Sequence, residues 1–194
     1  MKSFITGFLS VLLVALLLAA LPTEADAEIY TDTLRLHILA ASDSEEDQAL
    51  KLRVRDAILA EFSERLSGAS GIGEAKEVTG ALLEEIEDRA EQVVAEAGFS
   101  YTVTAELTEE WYDTREYGEV RLPRGIYSSL VVRIGSGAGR NWWCVMYPPM
   151  CLDLATDAPS DDWAGGYTGE ELSLITGRYR VKFKLLELIS DFVK

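Results

Sequence analysis

Between Leu34 and Ile58 the hydrophobic period of the chain changes with no linker between, which limits it to folds in which a strand runs straight into a long helix. Leu34, Leu36, Ile38 and Ala40 alternate with Arg35, His37, Leu39 and Ala41, the period of a strand with one buried face. From Leu50 through Val54, Ile58 and Phe62 to Leu66 the apolar residues then fall on one helical face. Ser42 followed by Glu45 fits a capping box, and Asp43, Glu45, Glu46 and Asp47 sit where the positive end of a helix dipole favours carboxylates. The acidic cluster therefore has a structural explanation before any other.

Downstream the same two periods recur. Glu74–Ala97 carries Val78, Leu82, Ile86, Ala90 and Val93 in helical register, with Gly80 inside it and Gly98 placed for a left-handed cap. The breaker-rich join Ser67–Gly73 suits an antiparallel helix pair. Tyr101, Val103, Ala105 and Leu107 return to period two, and Glu116–Leu122, Ile126–Ile134 and Asn141–Tyr147 are further strands, joined by hairpin turns at Pro123-Arg124-Gly125 and at the run Gly135–Gly139. Asp153–Gly169 is polar and is read as a surface loop. Val181, Leu185, Leu188 and Phe192 follow a helical face, although Arg178, Arg180, Lys182 and Lys184 also alternate as in a strand. The expected fold is α+β: a mixed, mainly antiparallel sheet with two consecutive helices after the first strand and a C-terminal helix packed across it.

The N-terminal segment is a separate unit. Lys2 precedes an apolar run, Phe4–Leu21, that ends at Pro22 and is followed by Ala25-Asp26-Ala27, an A-x-A cleavage pattern. Residues 1–27 read as a signal peptide, or as an anchor if uncleaved, and residues 28–194 as a single secreted domain. The formal net charge of −15 repels nucleic acid and anionic lipid, so a partner with a positive face suits this chain better. Membrane contact is expected only through an uncleaved leader. In an exported chain the two cysteines, Cys144 and Cys151, read first as a disulfide, and they can also remain as reduced thiols on either side of the Pro148-Pro149 turn.

A single histidine, His37, removes most catalytic arrangements. There is no H-E-x-x-H, no G-x-S-x-G elbow, no S-x-x-K, and no D-T-G or D-S-G signature. Two thiols and one distant imidazole fall short of a closed zinc site, the aspartates between Asp153 and Asp162 lack EF-hand spacing, and the glycine run leads into a strand instead of a helix N-terminus. No metal, cofactor or catalytic residue is assigned. Trp142 and Trp143 are adjacent in a strand, so their rings point to opposite faces.

The block Leu34–Ile58, with Asn141–Cys151 (NWWCVMYPPMC) downstream of Leu122–Ile134, resembles the two hallmark segments of the stage II sporulation protein R family. The resemblance covers Ile29–Cys151 and Val181–Ile189. Ala41 stands where Asn is expected before the Ser-Asp-Ser turn, so no side-chain role is assigned there. The resemblance implies a secreted signal of endospore formation. Such a protein passes from the forespore into the space between forespore and mother cell. There it activates a membrane protease, the stage II sporulation protein GA protease, by binding its extracytoplasmic part, and the protease then processes the mother-cell sigma factor precursor. On this reading the partner-binding candidates are Asp43, Glu46 and Asp47 of the acidic turn, and Trp143, Tyr147, Pro148 and Pro149 of the aromatic one, with the two turns expected to meet in space. Asp47→Ala and Tyr147→Ala are then expected to cost activity more than stability. A secreted cell-envelope hydrolase and a structural envelope protein are the alternatives.

Overall fold

A computed structural model describes residues 2–19, 29–117 and 120–150, with short pieces at 166–167, 171–172 and 175–176. Its elements are α1 (Lys2–Ala19), β1 (Leu34–Leu39), α2 (Glu45–Ser67), α3 (Ile72–Ala81), α4 (Leu83–Glu96), β2 (Val103–Tyr112), β3 (Arg115–Tyr117), β4 (Val120–Leu122), β5 (Gly125–Ile134) and β6 (Asn141–Tyr147). The fold is α+β. Four strands form a mixed sheet in the order β2-β5-β1-β6, with β1 and β5 parallel and the pairs β1–β6 and β2–β5 antiparallel. The expected C-terminal helix and the loop assigned to Asp153–Gly169 fall largely outside the described residues.

Period-two alternation sorts the sheet into two layers. Leu34, Leu36, Ile38, Leu130, Val132, Ile134 and Cys144 pack with Leu50, Val54, Ile58 and Phe62 of α2 and Ile86, Ala90 and Val93 of α4. On the opposite face Tyr112, Tyr127 and Val145 pack with Ile29, Val120, Leu122, Met150, Tyr167 and Ile175. Both faces of β1 are thus covered, and Arg35 and His37, read from sequence as the solvent side, are buried.

Several boundaries differ from the sequence expectation. Ser44, not Ser42, caps α2: its Oγ accepts the amide hydrogen of Asp47 at 3.1 Å, three residues on. The helix read as Glu74–Ala97 is two, broken at buried Leu82, whose N–H turns to the carbonyls of Val78 and Thr79. Gly98 takes the expected left-handed cap at φ 84°. The strand read as Glu116–Leu122 is a small hairpin, with Glu116 opposite Arg121. Neither of the two expected hairpin connections joins neighbouring strands. β4 lies outside the main sheet, and the run Gly135–Gly139 carries the chain from β5 across the end of β1 to β6.

The helix α1 exposes apolar side chains from Ile5 to Val14. Among the described residues no helix is long and apolar enough to cross a membrane.

Candidate functional site

Two constellations are built around β1, one at its end and one on its outer face. At its C-terminal end the acidic turn meets the glycine run. Asp43 Oδ1 accepts the backbone N–H of Arg140 at 2.7 Å, Ser136 Oγ donates to the Ala41 carbonyl at 2.8 Å, and Gly139 N–H donates to the Ala40 carbonyl at 2.9 Å. Lys51 Nζ, from the first turns of α2, donates to the Arg140 carbonyl at 2.9 Å and to Gln48 Oε1 at 2.7 Å. Burial, reinforced by the Arg140 and Arg55 charges, pulls the Lys51 ammonium below its ordinary pKa, against the opposing pull of Asp43. Asp47 is itself buried and accepts the Ser42 hydroxyl at 2.5 Å. The turn is therefore a clamp in which a glycine crossing is held by a helix N-terminus.

On the outer face the Arg35 side chain is fully enclosed by tyrosines. Its guanidinium carbon lies 4.0 Å from the Tyr112 ring centroid, 5.0 Å from that of Tyr127 and 5.6 Å from that of Tyr117, and Nη2 donates to the Tyr117 hydroxyl. Nε and Nη1 have no hydrogen-bond partner among the described residues. Beside it His37 Nδ1 meets Glu110 Oε2 at 2.8 Å, and the imidazole stacks on Trp143 with centroids 5.6 Å apart. Arg115 lies over the same indole at 3.8 Å. The Tyr112 hydroxyl donates to Glu110 Oε2 at 3.1 Å and shares a 2.8 Å hydrogen bond with Ser129 Oγ.

Burial pushes the phenol pKa values of Tyr112 and Tyr127 far above the ordinary range, with the Arg35 charge pulling the other way, so both hydroxyls stay protonated and act as donors. The result is a chain from Ser129 through Tyr112 and Glu110 to His37. It does not make a nucleophile and its base. Ser129 is fully buried, and among the described residues no hydrogen bond joins His37 to a hydroxyl or thiol.

The two hallmark turns do not meet. β6 runs antiparallel to β1, so Asn141 lies opposite Leu39 beside the acidic turn, whereas Tyr147 lies opposite Leu34 at the other end of the strand. Trp142 and Trp143 do face opposite sides, each half-buried, with Trp142 beneath Arg55 at 5.1 Å and Trp143 within the tyrosine layer. Tyr147 is 7% exposed and Pro148 is buried, leaving Pro149 half-buried. Asp43 and Glu46 are exposed and Asp47 is not. Cys144 is buried and bonded to no other cysteine among the described residues, and its expected partner Cys151 lies outside them. Sequence reading missed Arg35, Glu110, Tyr112, Arg115 and Ser129. The available signal was the surplus of tyrosines on strands flanking Arg35, enough aromatic surface to cover a buried cation.

Comparison with known proteins places these features in a family. The family model described as "Stage II sporulation protein R (spore_II_R)" matches residues 30–157, more than half of the chain. The chain is similar to Stage II sporulation protein R of Bacillus subtilis (strain 168), with 35% identity over 119 residues, which cover 61% of this chain and 53% of that protein. It thus spans about half the length of the curated relative it matches. No solved structure matches.

Proposed function

The chain belongs to the stage II sporulation protein R family, and from that premise we propose that it is a secreted intercompartmental signal of endospore formation. It acts by binding the extracytoplasmic part of a membrane protease, the stage II sporulation protein GA protease, whose activation leads to processing of the mother-cell sigma factor precursor. The chain is exported by its apolar leader into the space between forespore and mother cell. The observation that carries this reading is the family match, which spans both the strand–turn–helix block and the tryptophan-bearing strand.

Physical features support binding over catalysis. The family is a signalling family and not a known enzyme family. The one histidine is engaged by a carboxylate and an indole. An activator works by binding the active arrangement of its receptor more tightly than the inactive one, and about 5.5 kcal/mol of differential affinity drives a nearly complete switch.

The test is complementation. Expressed in Bacillus subtilis lacking its own stage II sporulation protein R, the chain should restore cleavage of the sigma factor precursor. Normal export with no cleavage, across several expression levels, counts against the reading.

A further inference from the structure

Strand β2 is an edge of the main sheet, and its two halves are treated differently. The N–H of Val103 donates to Glu91 Oε1 at 3.1 Å and that of Ala105 to Glu87 Oε1 at 2.6 Å, so two α4 glutamates satisfy the outward donors of the first half. The β2–β5 register runs without a shift from Val103↔Ile134 to Tyr112↔Gly125. By parity the amides of Leu107, Glu109 and Trp111 point outward as well. Among the described residues nothing accepts from them. Edge strands are ordinarily blunted because such a row of donors is a template for another strand, and among the described residues the blunting of β2 stops halfway.

The unprotected half also carries the most exposed large apolar pair of the sheet. Trp111 is 64% exposed and its cross-strand neighbour Ile126 is 56% exposed. Both lie on the face that Leu107 and Leu130 present to the helices, beyond the point where the helices cover it. An exposed tryptophan on a rigid strand, next to unpaired backbone, is the anchor geometry of strand addition.

We propose that the Leu107–Trp111 edge of β2 receives an extended, cationic segment of a partner protein as an added strand, with Trp111 and Ile126 as its apolar seat. The inference rests on the reading of this chain as a protein-binding signal. Charge selects the occupant. β2 carries Glu106, Glu109 and Glu110 and no basic residue, so pairing with a second copy would set these carboxylates against their own kind, in a chain of net charge −15. A strand bearing Lys or Arg opposite Glu109 gains instead.

The test uses the full chain and a synthetic peptide alternating lysine with valine and tyrosine. Hydrogen exchange should slow at Leu107, Glu109 and Trp111 on peptide addition and stay unchanged at Val103 and Ala105. Trp111→Lys, at an exposed position, should weaken binding by about 30-fold. Glu109→Pro, which removes an outward donor and leaves the β5 ladder in place, should weaken it by about 5-fold. A melting scan identifies any variant that fails to fold.

Undiminished binding by both folded variants overturns the proposal. So does protection confined to other strands, a peptide-free dimer protected at these amides, or a free monomer in which they already exchange slowly. Variants that lose the peptide yet still trigger precursor cleavage would sink this site and leave the signalling reading intact. A wild-type chain that binds the peptide here but never triggers cleavage would sink the signalling reading and keep the edge.

Discussion

Gly139→Ala tests the clamp that joins the acidic turn to the glycine crossing. A Cβ at Gly139 would lie 2.1 Å from the Ser42 carbonyl oxygen and 2.4 Å from its carbon, both backbone atoms, where ordinary contact begins at 3.4 Å. The crossing must therefore retreat by more than 1 Å. Three hydrogen bonds depend on its position: Gly139 N–H to Ala40, Arg140 N–H to Asp43, and Lys51 Nζ to the Arg140 carbonyl. A neutral bond contributes about 1 kcal/mol and a charge-assisted one about 1.5–3, less at an exposed pair, so their partial loss amounts to about 3 kcal/mol. In a domain of this size that lowers Tm by about 10 °C. Gly80→Ala is the control. Nothing lies within 4 Å of its added Cβ in α3, so it should stabilise by about 0.5–1 kcal/mol. Urea unfolding of both variants measures the difference. A Gly139→Ala protein within 1 kcal/mol of the parent would refute the close crossing.

Four further outcomes follow. Tyr112, Tyr127 and Tyr167 are buried with raised pKa values, so the folded state keeps protons that the unfolded state loses above pH ~10. Their stabilising contribution is complete below that pH and falls by up to about 4 kcal/mol per pH unit above it, to be read by unfolding against pH with phenolate absorbance. His37→Gln should keep the fold and precursor cleavage, since the amide can still donate to Glu110; a folded, exported and inactive variant would favour an enzyme. Asp47→Ala and Tyr147→Ala, expected from sequence to cost activity more than stability, should destabilise by about 1–2 kcal/mol and about 3 kcal/mol respectively, because one loses a buried hydrogen bond and the other a core side chain; unchanged melting would contradict their burial. Replacing residues 1–27 by an unrelated cleavable signal peptide should preserve activity, and loss despite normal export would assign that segment a contact.

The sequence periods located β1, α2 and β6 because each has an apolar face of clear period packed on one side. They failed where a residue's partner is remote. Arg35 and His37 occupy polar positions of a regular strand, and only the later tyrosines and Trp143, brought alongside through β2, β5 and β6, reveal a second covered face. The crossing of the glycine run over β1 was likewise invisible, since a hairpin and a crossover need the same turn residues. Its need for glycine at position 139 comes from Ser42, nearly a hundred residues earlier. The break at Leu82 lay within an uninterrupted helical pattern, with Gly80 the only local sign.

The most direct measurement is a reconstitution of the purified chain with the membrane protease and the sigma factor precursor, following precursor cleavage as the chain is titrated. Binding-driven activation predicts cleavage that needs the protease, saturates at a fixed molar ratio of chain to protease, and is retained by His37→Gln. Cleavage by the chain without the protease, or full activation by a small catalytic fraction of it, would contradict the account.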